Sequence, residues 1–184
     1  MTQQIDFHQG DRILDVGYLE SVLPFMMAGL GAEVHALDLR PCPLRNPGFK
    51  TYIGDIRKTE FTDKYFDKII AISTLEHLGI PTRYQSYADP DADSKALQEM
   101  SRILKDDGQI IITMPFGRAA INSVQKTYDQ KAIARLIAGF ELINLQYAKN
   151  NGRYWSPANY DQVKDTIGYH ANVLISLKKK NEIK

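Results

Sequence analysis

The chain of 184 residues holds one cysteine, Cys42. No internal disulfide can form, so the fold must hold by packing, as in a reducing compartment. No apolar run approaches the length that spans a bilayer, and the opening MTQQIDFHQGD has no signal-peptide core. The expectation is a soluble, cytoplasmic protein with no membrane partner. Neither sign of charge is in excess: 23 Lys plus Arg against 22 Asp plus Glu leave a formal +1. Such a balance gives no electrostatic case for a nucleic-acid partner. The closing KKKNEIK carries four lysines, either a basic patch or, the reading adopted, a solvated tail after the last strand. Repeats, low-complexity stretches and domain boundaries are also missing. With 43% hydrophobic and 24% charged residues, the chain reads as one globular domain over 1–184, with a short lead (1–11) and a basic tail (178–184).

What is present is centred on RILDVGYLESVLPFMMAGLGAEVHALDLR, from Arg12 to Arg40. Ile13, Leu14 and Val16 form a buried-strand run that Gly17 breaks at a sharp turn. Ser21 as N-cap, Pro24 in the first turn and Gly29 and Gly31 at the end delimit a helix. Val34, Ala36 and Leu37 then make a second buried run that ends on Asp38. A β-α-β unit with a carboxylate at the tip of its second strand suits a nucleoside. Backbone N–H groups lie at the turn, and the carboxylate can take ribose hydroxyls.

Asp15-Val16-Gly17 with Asp38 resembles the first two motifs of the class I S-adenosylmethionine-dependent methyltransferases. A nicotinamide-binding turn would show G-x-G-x-x-G, whereas here an acid stands two residues ahead of the only glycine. The resemblance implies an α/β, Rossmann-like three-layer sandwich, with a mostly parallel seven-stranded sheet and an antiparallel last strand. It implies S-adenosyl-L-methionine as cofactor, with Asp15 near its methionine end, Gly17 and Tyr18 at the turn, and Asp38 with Leu39 on the ribose. The family's second glycine is replaced by Leu19, which neither admits a close backbone approach nor tolerates positive φ. Either the turn takes another path, or cofactor binding is weakened. The lead is also shorter than the one or two covering helices that many small-molecule members have.

Three prolines and a glycine in LRPCPLRNPGFK argue for a loop after Asp38. Gly54-Asp55-Ile56 follows a third strand; in the resembled family the acid there meets the adenine amino group, which assigns Asp55 with Ile56. A turn aspartate capping its own backbone is the alternative. Phe66 to Thr74 reads as a strand covered on both faces. Ser73 at its end belongs to the implied cofactor set. Thr74-Leu75-Glu76-His77-Leu78-Gly79 resembles the S-x-x-E-H-x segment that faces the acceptor in many members, and carboxyl ends of strands are where open α/β sheets bind ligands. His77 can take a proton near neutral pH, with Glu76 orienting it or acting as base itself. The two could instead cap the following loop. No third ligand supports a metal site.

The loop to Lys95 offers Arg83, Tyr84 and Tyr87 as acceptor contacts or as ordinary surface residues. Asp89, Asp91 and Asp93 alternate as in a calcium loop, but Ser94 replaces the needed glycine and Met100 the twelfth ligand. Asp91 or Asp93 is read as an N-cap, with Leu97, Met100, Ile103 and Leu104 as the core stripe of the helix. A strand over Ile110 to Met114, a helix over Tyr128 to Ala138, a strand over Phe140 to Tyr147, a loop from Asn150 to Tyr169 and a last strand from Val173 to Leu177 complete the expectation. Tyr87 to Gly117 resembles a branch tied to sugar and polysaccharide pathways. The implied activity is methyl transfer to a small-molecule acceptor such as a sugar; a catalytically inactive binding protein of the same fold is the alternative.

Overall fold

The computed structural model describes residues 7–81 and 88–180 of the chain. Its centre is one sheet of eight strands: β1 (Arg12–Val16), β2 (Glu33–Asp38), β3 (Lys50–Ile53), β4 (Phe66–Ile72), β5 (Leu104–Pro115), β8 (Phe140–Asn150), β9 (Trp155–Ala158) and β10 (Ala171–Lys179). In space they run β3-β2-β1-β4-β5-β10-β8-β9. β3 through β5 are parallel neighbours, and β10, β8 and β9 join antiparallel. A small hairpin, β6 (Ala120–Ile121) and β7 (Lys126–Thr127), stands apart.

The apolar runs explain the centre of this order. Ile13, Leu14, Ile69, Ile70, Ile110 and Ile112 are buried, as strands covered on both faces must be. Alternate residues serve opposite faces. Ile13, Val34, Ile70 and Ile111 pack with Met27 of helix α1 (Leu23–Gly29). Leu14, Ile69, Ile110 and Ile112 pack with Leu97 and Met100 of α2 (Ala92–Ile103) and Ile133 of α3 (Gln130–Leu136). The result is a layer of helix on each side of the sheet. No helix or strand lies between β2 and β3, where the prolines fall.

The sheet has eight strands rather than the expected seven, because part of the region read as loop pairs with the sheet. Asn150 Oδ1 accepts from the Gly152 N–H at 2.7 Å and Asn151 Oδ1 from the Arg153 N–H at 3.0 Å. That turn folds Trp155–Ala158 back on β8, where Pro157 sits opposite Ala148. An edge strand tolerates proline, so its sequence shows neither alternation nor an apolar run. A short helix, α4 (Tyr160–Val163), follows with Asn159 and Gln162 in a reciprocal capping box. Several boundaries also move. Leu104 begins β5 instead of closing α2. α3 starts at Gln130 because Asp129 Oδ1 caps the Ala132 N–H at 2.7 Å, while Tyr128 bridges to Phe116. Lys178 and Lys179 belong to β10, and Lys179 Nζ donates to the Leu104 carbonyl at 2.6 Å. No helix among the described residues is long and apolar enough to cross a membrane.

Candidate active site

The carboxyl ends of β1, β2, β3 and β4 lie side by side, and the sequence-predicted residues gather there. Asp15 stands in β1 opposite Ala36 and Ile70. It is 2% exposed, and its Oδ2 meets no hydrogen-bond donor. Burial pushes its carboxyl up to about 7. Gly17 follows at φ 77°, its N–H donating to the Leu37 carbonyl at 2.8 Å. A β-carbon there would overlap the Thr74 hydroxyl and lie 2.8 Å from the Thr74 methyl. Thr74 cannot step aside cheaply, since its Oγ1 lies 3.0 Å from the carbonyls of both Val16 and Ile72, which share its one proton. Gly17 is thus required twice over, by dihedral and by contact.

The turn after Gly17 accommodates Leu19 in a helical conformation. Tyr18–Glu20 coil into a 3-10 turn closed by the Ser21 N–H on the Tyr18 carbonyl at 2.9 Å. Among the described residues only Lys64 and Ser73 have positive φ without being glycine, so Leu19 needs no left-handed backbone. Tyr18 is buried edge-on against Phe49, and burial with a hydrogen bond to Cys42 pushes its phenol up. Ser21 Oγ accepts from the Leu23 N–H at 3.1 Å, one residue outside the N-cap, Val22.

Asp38 and Asp55 share an arrangement that sequence reading missed. Arg40 clasps Asp38: its N–H and Nε reach Oδ1, each at 3.0 Å, and its Nη2 reaches Oδ2 at 3.1 Å. Arg57 clasps Asp55 through N–H and Nε on Oδ1 and through Nε and Nη2 on Oδ2, at 2.9, 3.0, 2.9 and 2.5 Å. Burial opposes ionisation of Asp55, but these bonds outweigh it and hold the carboxyl below its usual range. Arg57 continues to Asp89 at 3.2 Å, which Lys95 also holds at 2.9 Å. The repeated D-x-R after the second and third strands was the available signal. Leu39 is exposed, whereas the Ile56 side chain is in the core, leaving only its backbone for a ligand.

Beyond β4, Ser73 sits at φ 48° with its N–H bound to Thr113, a strained backbone of the kind found where chains pass ligands. Glu76 is 1% exposed, and its Oε2 also meets no donor; burial pushes its carboxyl up to about 8. His77 is exposed, with Nδ1 at 2.7 Å from the Val124 carbonyl. A carbonyl only accepts, so Nδ1 bears a hydrogen and Nε2 faces away from this contact. Gly79 turns at φ 77° and receives the Asp89 N–H on its carbonyl at 3.0 Å.

A buried polar group backs this end of the site. Asp93 is no helix cap: its Oδ2 accepts from Lys126 Nζ at 3.1 Å and from the Tyr128 hydroxyl at 2.8 Å. Asp91 takes the N-cap position without a side-chain bond. Gln125 is buried with its Nε2 unpartnered. Nothing in SVQKTYD marked these residues in advance. Arg83, Tyr84 and Tyr87 lie outside the described residues. Among the described residues, no three His, Cys, Asp or Glu side chains cluster as metal ligands. A cleft of about 240 Å³ lined by Gln109, Ile111, Ile143, Asn144, Leu174 and Ser176 lies along β5, β10 and β8, away from these strand ends.

A parallel sheet flanked by helices, an acid-glycine turn at β1 and an antiparallel last strand define the fold of the S-adenosylmethionine-dependent methyltransferases. Solved structures share it. An enzyme of that class from Methanosarcina mazei superposes with a TM-score of 0.72 at 15% identity, over 96% of this chain and 95% of that one. A 1,6-didemethyltoxoflavin-N1-methyltransferase from Burkholderia thailandensis, solved with its substrate and S-adenosylhomocysteine, gives 0.67 at 16%, over 94% and 72%. A TehB-like S-adenosylmethionine-dependent methyltransferase from Corynebacterium glutamicum gives 0.61 at 19%, over 95% and 83%. Residues 34–179 match the family described as "Caenorhabditis protein of unknown function, DUF268", and the chain belongs to that family. No curated protein matches it by sequence.

Proposed function

We propose that the protein transfers the methyl group of S-adenosyl-L-methionine to an oxygen of a small molecule, a sugar or related metabolite, as a single cytoplasmic domain. The observation that carries this reading is the unpartnered oxygen of Asp15, buried beside the left-handed Gly17 turn. A buried carboxylate without a donor is costly, and a ligand's ammonium group is the kind of partner that relieves it. Asp15 would hold the methionine end, the Gly17 and Tyr18 backbone the turn, Asp38 the ribose, and Ile56 and Ser73 the adenine side. The cofactor, when bound, supplies a methyl group activated on a sulfonium.

The chain's own residues then orient the acceptor and move its proton. At neutral pH Glu76 keeps its proton, since its carboxyl is pushed up to about 8. It therefore donates a hydrogen bond that positions the acceptor oxygen. His77 takes the acceptor's proton on Nε2, its ring held by the Val124 carbonyl.

Titration calorimetry with S-adenosylmethionine, followed by transfer of a labelled methyl group to a panel of sugars, tests the reading. Micromolar binding is expected, with transfer that His77→Ala lowers about a hundredfold. Absence of binding to the folded protein would sink it. A second reading, an inactive methyltransferase-like binding protein, is favoured by one observation: Asp38 and Asp55 already have internal cationic partners. Binding without transfer to any acceptor would favour it.

A further inference from the structure

Asp38 ends β2 with its side chain 6% exposed. Three hydrogen bonds from Arg40 already fall on its oxygens, two on Oδ1 and one on Oδ2. A carboxylate offers about four acceptor directions, so one remains, on Oδ2. The clasp is held from a second side. Arg40 Nη1 donates to Glu20 Oε1 at 2.9 Å, tying β2 to the 3-10 turn that follows Gly17. At 27% exposure the guanidinium is too enclosed to swing freely, and its paired N–H groups match the carboxylate as a fork.

We infer that Arg40 restricts Asp38 to a single ribose hydroxyl, so that the site reads one of the two vicinal hydroxyls and is indifferent to the other. The inference rests on the cofactor reading above and adds a specificity-determining residue to it. The second clasp strengthens the case. Asp55 is clasped in the same way by three N–H groups of Arg57, the single Nε proton shared between its two oxygens. Discrimination between the two ribose hydroxyls falls on the one free direction of Asp38. A cofactor approaching this site meets a neutralised pair rather than a bare carboxylate. The bond it forms there is to an oxygen whose charge is shared with Arg40, and a second hydroxyl finds Oδ1 occupied.

Calorimetric titration with S-adenosylhomocysteine and its 2′-deoxy and 3′-deoxy forms, on the wild type, Arg40→Ala and Arg40→Met, reads this directly. In the wild type, one deoxy form is expected to bind about tenfold or more weakly and the other within about threefold of the parent. In Arg40→Ala both are expected to lose about tenfold, because the freed Oδ1 accepts the second hydroxyl. Arg40→Met, which keeps the apolar stem but carries no donor, should behave the same way and covers a failure of the alanine variant to fold. Equal losses for both deoxy forms in the wild type overturn the inference, as does a single-hydroxyl pattern that survives removal of Arg40. A wild type that binds no S-adenosylhomocysteine overturns the cofactor reading itself, which separates the two failures.

Discussion

Asp15 and Glu76 each bury a carboxyl oxygen that meets no donor, and the cost depends on pH. The Asp15 carboxyl titrates at about 7 in the folded chain against 3.8 unfolded. Between those values the folded state holds a proton that the unfolded state has lost. Stability therefore falls as pH rises from about 4 to about 7 and is flat beyond. From pH 5 to 8 this group alone removes about 2.5 kcal/mol by the linkage relation, and Glu76 acts in the same direction. Glu33, whose hydrogen bonds to Lys50 and His35 hold it down near 2, acts oppositely, losing its contribution only as pH falls below its unfolded range. In Asp15→Asn the titrating group is gone, so the drop in urea-unfolding free energy between pH 5 and 8 should shrink by roughly that amount. An unchanged slope would mean that Asp15 finds a partner in solution. Asp15 and Gly17 were legible because strand, acid and turn glycine are adjacent in sequence. The Arg40 and Arg57 clasps were not, because what a carboxylate bonds is settled by side-chain rotamers rather than by spacing.

The hairpin of β6 and β7 is the element on which the His77 end of the candidate site depends. It has little apolar surface of its own: Ile121 and Val124 are exposed. It is fixed instead by Lys126 on Asp93, by the Val124 carbonyl on His77, and by Tyr128 just beyond it on Asp93. Lys126 and Asp93 are both buried, so removing one charge strands the other. Lys126→Ala should cost about 3 kcal/mol or more in urea unfolding, where an exposed pair would cost less than about 1 kcal/mol. A loss within that smaller range would show that water reaches the pair. Elements bounded by apolar runs, such as β1, β4 and β5, were visible in the sequence, and so was the helix of Leu97 and Met100. β9 and the hairpin were not. β9 pairs with β8 close by in sequence, but an edge strand with a proline shows no alternation, while the hairpin's Val124 and Lys126 bond to partners far along the chain that periodicity does not record.

At the scale of the whole molecule, the sheet divides into a parallel half that carries the candidate site and an antiparallel half that does not. All the candidate cofactor residues lie at the ends of β1 to β4, while β8, β9 and β10 contribute mainly core and edge. A ligand bound only to the folded state adds stability set by its concentration over its Kd, about 2.7 kcal/mol at a hundredfold excess. For a chain of this length that raises Tm by roughly 5 to 10 °C. S-adenosylhomocysteine at that excess should produce this shift, whereas NAD(H) and NADP(H) should leave Tm unchanged, since the turn lacks G-x-G-x-x-G. The gain should also be local under native conditions. Hydrogen exchange should slow at 15–21, 38–40 and 73–77, where the ligand orders strand ends, and stay as it was along β9, whose opening does not disturb the site. Slowing spread evenly over both halves would place the ligand elsewhere, with the β5, β10 and β8 cleft the next location to test, and a shift with NADP(H) would replace the methyl donor with a hydride carrier.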